Sequence, residues 1–301
     1  MTRLVAFIPL VLSIVGLVLS SLCLFAGNRK GFMEEYAIAR VNITGLGHDL
    51  IDTSQDSGGD GDGGILSGFV DGAGDAINDL IGKASDDVVE ALGISDWYSL
   101  HIMDACEGYF KPNATVDSPS LNITSCTNSA PDNRLNLTAL IERKLDSAPV
   151  DVNLSDLGWS SSVQEQLDKV NDALFALFVM YAMVMGFSGL SMLAGALGVA
   201  VPSTHGNRLV VVANLGLASL DTLVIMIASI IVTVAVTKGV DEINDKAGDI
   251  GISVAAGTKF LILTWVTAVL TLAVTLFWAA RLVVNKRRAA AAAAEESKMS
   301  Y

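Results

Sequence analysis

The sequence predicts an all-α membrane protein: a four-transmembrane-helix bundle carrying one large, disulfide-tied extracellular domain. Three observations lead there. The apolar residues are concentrated in four runs of membrane-spanning length, every N-glycosylation sequon falls in one intervening segment, and two of the three cysteines lie in that same segment. A chain of 301 residues that is 51% hydrophobic, with mean hydropathy +0.52, is too apolar for an ordinary soluble domain.

The runs are Leu4–Leu24 (21 residues, no charge), Ala173–Val201 (29, no charge), Leu209–Val236 (28, with Asp221 alone charged) and Phe260–Val284 (25, with Arg281 near its end). A helix needs about 20 apolar residues to cross the hydrocarbon core, so all four qualify. The first run is twice as long as a signal-peptide core and is followed by no small-x-small cleavage site. LSSLC has Leu22 where a lipoprotein box needs a small residue. A retained first helix is therefore expected.

Lys and Arg near span ends set orientation. Arg3, Arg208 and the trio Lys286, Arg287 and Arg288 share one side, assigned to the cytosol, although Arg29, Lys30 and Lys238 oppose the rule. The expected layout has span one within 1–26, an extracellular domain 27–172, span two 173–201 and a cytosolic turn 202–208. Span three at 209–236, an extracellular loop 237–259, span four at 260–284 and a cytosolic tail 285–301 complete it. Both termini are expected in the cytosol. The sequons agree: Asn42, Asn113, Asn122, Asn136 and Asn153 all lie in 27–172, the segment that would pass through the secretory lumen. That segment holds 25 acidic against 9 basic residues. With a net charge of −13, the chain lacks the basic surface that a nucleic-acid partner requires.

Placed outside the cell, Cys106 and Cys126 are in a disulfide-permissive compartment, and closing a loop of their separation stabilises by about 3 kcal/mol on the chain-entropy model. Cys23, near the outer end of span one, is expected to be a buried small hydrophobe. The stretch WYSLHIMDACEGYF carries Trp97, Tyr98, Ser99, Leu100, Cys106, Glu107, Gly108 and Tyr109, with Cys126 following inside NITSC. This motif, set in the first external loop of a four-span chain, resembles the fungal SUR/PalI family of cortical-patch (eisosome) tetraspans, distantly similar to claudins. The resemblance implies a family motif at Trp97, Tyr98, Gly108 and Tyr109, and room for a small claudin-like β-sheet in an otherwise helical outer domain. It also implies a structural role: organising plasma-membrane microdomains linked to the cell wall, endocytosis and membrane integrity. The alternative it implies is ambient pH or stress sensing, as in the PalI branch; a channel or transporter would rest on Asp221 alone. Expected partners are membrane lipids, further copies of the chain or other cortical membrane proteins, and the cell wall.

The Gly- and Asp-rich insertion 45–92 departs from that family pattern. Asp60 and Asp62 alternate with glycine, but the closing Glu of a calcium loop is missing, so a solvated linker and no metal are expected. From Leu66 to Val88 apolar residues recur at three- and four-residue steps, which predicts an amphipathic helix. Ser162 and Glu165 form an S-x-x-E capping box ahead of one unbroken helix over 163–200, roughly 55 Å long. Trp159 and Trp265 would mark the outer interface and Trp278 the inner one.

Inside the membrane, small residues predict close helix approach: Ser13, Gly16 and Ser20 on span one, Ser191, Gly195 and Gly198 on span two, Ala213, Gly216 and Ser219 on span three. Thr264, Thr267, Thr271 and Thr275 make a hydroxyl stripe on span four. Asp221, about 18 Å into span three by the helical rise, is the one intramembrane carboxylate. It is expected to be a hydrogen-bonded structural residue, satisfied by the threonine stripe or by Asn214, ahead of a sensing or transport role. His48, His101 and His205 are scattered and no catalytic constellation emerges, so no enzyme activity and no cofactor are expected.

Overall fold

A computed structural model describes residues 4–44, 95–112, 119–127, 161–200, 207–247 and 253–299. The elements in chain order are α1 (Leu4–Phe25), a 3-10 turn (Glu34–Tyr36), β1 (Ala39–Asn42), β2 (Trp97–Leu100), β3 (Ala105–Lys111) and β4 (Ser120–Cys126). There follow α2 (Ser161–Ala200), α3 (Asn207–Ala247), β5 (Ser253–Ala256) and α4 (Thr258–Met299). The expected helix 66–88, Asp60 and Asp62 of the insertion, and Trp159 lie outside the described residues. So do the side chains of the capping box.

The chain forms two compact units. One comprises Met1–Leu24, Leu177–Thr233 and Phe260–Tyr301. Its helices are the four long enough and apolar enough to cross a membrane, over Phe7–Phe25, Asp172–Ala196, Arg208–Asp245 and Thr258–Met299. Helices are what such sequences must form, because a bilayer offers no water to satisfy backbone groups and each helix satisfies its own. Their outward faces remain apolar and exposed, as at Val11, Leu190, Leu193, Leu223, Ile262, Val269 and Leu276. Their inward faces carry Tyr181, Val184, Ile225, Ala228, Phe260 and most of the polar residues.

Two details of the bundle differ from the sequence expectation. Ser13, Gly16 and Ser20 are buried, and so are Ser191 and Gly195, but Ala213, Gly216 and Ser219 are exposed. The packing face of α3 is instead Val211, Asn214, Ala218, Asp221, Ile225, Ala228 and Val232. Both sets obey helical spacing, and packing selects the face that carries the two polar side chains, which lipid would not solvate. Trp278, expected at the inner interface, is buried in a core with Val211, Ala218 and Val274. Trp265 is partly exposed and donates its Nε1–H to Thr233 Oγ1 at 3.1 Å. Beyond the apolar run, α4 continues through Ala289–Ala294 to Met299, as alanine's leading helix propensity favours.

The other unit comprises Phe25–Ala176 and Val234–Lys259. Its described part is a five-stranded sheet of order β4-β3-β2-β1-β5, with every neighbouring pair antiparallel. Strand β5 is supplied by the loop between spans three and four, pairing Val254 with Val41. Asn244 then mimics a further strand, its side-chain amide donating to Val254 O at 3.0 Å and its Oδ1 accepting from Val254 N at 2.7 Å. That covers the outer edge of β5, where unpaired backbone would otherwise invite another chain.

Candidate functional site

The motif residues come together in this sheet, with Trp97 and Gly108 on its buried face. Side chains alternate along a strand, so Trp97 and Ser99 point to the buried face and Tyr98 and Leu100 to the other. Strand β3 places Gly108 opposite Trp97 and Cys106 opposite Ser99. Strand β4 then places Cys126 opposite Cys106, and a disulfide joins them. Between Glu107 and Gly108 the β3–β4 register shifts, leaving Thr124 as an extra residue whose hydroxyl donates to Glu107 O at 3.0 Å.

Trp97 is fully buried, and only glycine fits beneath it. A Cβ at Gly108 would stand 2.6 Å from Trp97 Cζ2 and 2.2 Å from the backbone oxygen of Asn122. The guanidinium of Arg40 covers the indole at 5.5 Å from the ring centroid, within cation–π range. Tyr98, opposite Glu107, has its hydroxyl pushed up to about 12 by burial and then by that carboxylate. Tyr109, the fourth motif residue, is half-buried and pairs with Asn122.

Beside the bridge sits a polar cluster not foreseen in the sequence. Glu34 Oε1 accepts a hydrogen bond from Ser99 Oγ, and His101 Nε2 lies 3.5 Å from each of those two oxygens. All three residues are buried. Sixty-seven positions separate Glu34 from His101, which is why no local pattern revealed the pair. Gly27, at φ 80°, makes room for the imidazole, since a Cβ there would lie 2.4 Å from His101 Cδ2. Burial works to raise the Glu34 carboxyl, but hydrogen bonds from His101 and Ser99, with the charges of His101 and Arg40, outweigh it and hold the group below its ordinary value.

Glu34, His101 and Cys106 bring one oxygen, one nitrogen and one sulfur within 4.8 Å of one another. The disulfide removes that sulfur as a thiolate ligand, which leaves two donors where zinc sites use at least three protein ligands. Nor does the cluster follow a serine–histidine–acid relay. There the acid orients one ring nitrogen while the other serves the hydroxyl. Here the same Nε2 faces both Ser99 and Glu34, and Nδ1 is without a partner. The arrangement can hold the 3-10 turn against β2; it does not present a nucleophile.

Of the sequons, Asn42 ends β1 and its Oδ1 accepts from Thr44 N at 3.0 Å and Thr44 Oγ1 at 2.8 Å. Asn122 lies in β4, and Asn113, Asn136 and Asn153 lie outside the described residues. Both described sequons thus fall in the unit that carries the disulfide.

In the bundle, Asp221 is 4% exposed and its Oδ2 accepts from Ser188 Oγ at 2.6 Å. The partner comes from span two, rather than from the threonine stripe or Asn214. Asn214 is engaged by Ser191 at 3.3 Å and donates to Val210 O. The stripe is used elsewhere: Thr264 bonds Tyr181 at 2.6 Å and Ser229 at 2.9 Å, and Thr275 bonds Thr222 at 2.9 Å. Cys23 is free and buried.

The SUR7/PalI family model matches residues 5–277, from the first of the long apolar helices into the fourth and across the sheet unit. No curated protein and no solved structure matches the chain.

Proposed function

Because this chain belongs to the SUR7/PalI family, we propose that it organises cortical microdomains of the plasma membrane, acting as a structural tetraspan. Both termini lie in the cytosol, the sheet unit lies outside, and the sequons of that unit carry glycans. It serves cell-wall attachment, endocytosis and membrane integrity by associating laterally with copies of itself or with other cortical membrane proteins. One observation carries this reading: buried hydroxyls of the bundle bond one another, as in Tyr181–Thr264–Ser229, while the outward faces are largely apolar. Such a bundle offers lipid and neighbouring helices a surface, and fills its own interior with packed side chains.

Ambient sensing is the second reading, and the buried Glu34 carboxyl favours it, a titratable group enclosed in the sheet unit and held by Ser99 and His101. Deleting the chain and imaging the cortex separates the two. The organiser reading expects patches to disperse or shrink in number under constant conditions. Intact patches with a lost response to external pH or stress would instead select the sensor.

A further inference from the structure

Residues of four helices neighbour one another around the Asp221–Ser188 pair. Antiparallel α2 and α3 bring Ser188 to it at 2.6 Å. Gly16 of α1 faces Ser188 from the other side, where an added Cβ would lie 3.6 Å from Ser188 Oγ and 3.9 Å from Thr271 Cγ2 of α4. So each helix places one residue at this level, and none but Asp221 ionises. Its second oxygen, Oδ1, is buried and has no hydrogen-bond partner among the described residues.

A carboxylate held this way would keep a full charge in an apolar bundle with one neutral donor, and burying an unpaired charge costs far more than burying a neutral group. Among the described residues, the other titratable side chains inside the bundle stand at other levels. Along their helices, Cys23 lies seven residues from Gly16 and Tyr181 seven from Ser188, roughly 10 Å in each case. Arg281 lies ten residues from Thr271, about 15 Å along α4, and has an interaction of its own with the Phe277 ring. A metal cation is a poor occupant, because one carboxylate and one hydroxyl fall short of the six or more oxygens that hard cations gather. The helices are also unbroken at this level, so no backbone carbonyl is released to help. A proton needs only one oxygen.

We propose that the centre of the bundle is a proton-binding site, in which Asp221 holds the proton on Oδ1 and Ser188 hydrogen-bonds Oδ2. Releasing the proton to water leaves a charge among four packed helices and loosens them. The sign follows directly: the stabilising, protonated form is complete at acid pH and is lost as pH rises through the site's own titration. This inference does not depend on whether the chain forms patches.

The test uses infrared spectroscopy of the purified full chain in uncharged lipid nanodiscs. At neutral pH the wild-type protein should show a protonated-carboxyl C=O band that is missing from Asp221→Asn, and in Ser188→Ala that band should persist at higher frequency. Above the range in which Glu34 titrates, thermal stability should fall with rising pH in the wild type and fall less in Asp221→Asn. A carboxylate band in its place, an equal pH slope in both proteins, or stability that follows sodium at fixed pH would each overturn the proposal. If Asp221→Asn does not fold, the Ser188→Ala shift decides: a C=O band unmoved by losing its hydrogen-bond donor does not belong to Asp221.

Discussion

Gly108 lies directly beneath the indole of Trp97, its cross-strand partner, with the Asn122 carbonyl on its other flank. The glycine and the tryptophan of the motif are therefore one packing unit, eleven residues apart in β2 and β3.

Gly108→Ala should open the β3–β4 pairing, because the 2.2 Å clash is with backbone oxygen and no rotamer relieves it. Overpacking of this kind costs about 1–3 kcal/mol. Trp97→Phe, which shortens the ring over the glycine, should partly rescue the double variant. Thermal unfolding of the four proteins checks the coupling, and strictly additive losses would mean that the two residues do not share one contact.

Cys106→Ser and Cys126→Ser should be equally damaging, each by about 2–5 kcal/mol, since half a bridge is no bridge. The double variant should match either single one. A double variant clearly worse than both would argue that each thiol has a role apart from the other.

Acid should loosen the five-stranded sheet through Glu34. Its carboxyl sits below the ordinary 4.5 in the folded protein, so its contribution is complete above 4.5 and is lost as pH falls below that through the folded value. Glu34→Gln keeps an oxygen acceptor for Ser99 and removes that titration. Hydrogen exchange of the amides of β2 and β3 should rise at acid pH in the wild type and vary less in Glu34→Gln. Equal acid sensitivity would assign the effect to another group.

Endoglycosidase treatment of the protein from its native host should collapse a heterogeneous band toward 31.5 kDa. Asn42→Gln and Asn122→Gln should each remove one step. An unchanged band would deny the sheet unit a passage through the secretory lumen.

How much of this could be read in the sequence depended on how local each feature is. The four spans are runs of composition, and the helix expected over 163–200 is observed as Ser161–Ala200. The sheet was less visible. Strand β5 is four residues, SVAA, in a loop that carries no strand signal of its own, and it exists because β1 offers it an edge. Asp221 stood out as a charge in an apolar run, but its partner did not, because nothing in either span says that Ser188 and Asp221 share a level. Span three shows two small-residue or polar stripes at helical spacing, and only neighbours choose between them. Glu34 and His101 lie 67 positions apart, so no local pattern joins them and only the fold does.

The central claim is that the chain is a structural organiser of the cell cortex, and photobleaching of a fluorescently tagged, otherwise intact protein in its native membrane tests it most directly. The organiser account predicts label in discrete cortical patches whose bleached halves recover little over minutes, because the molecules are held by their neighbours. Uniform plasma-membrane label that recovers within seconds, at the rate of a freely diffusing four-span protein, would contradict it.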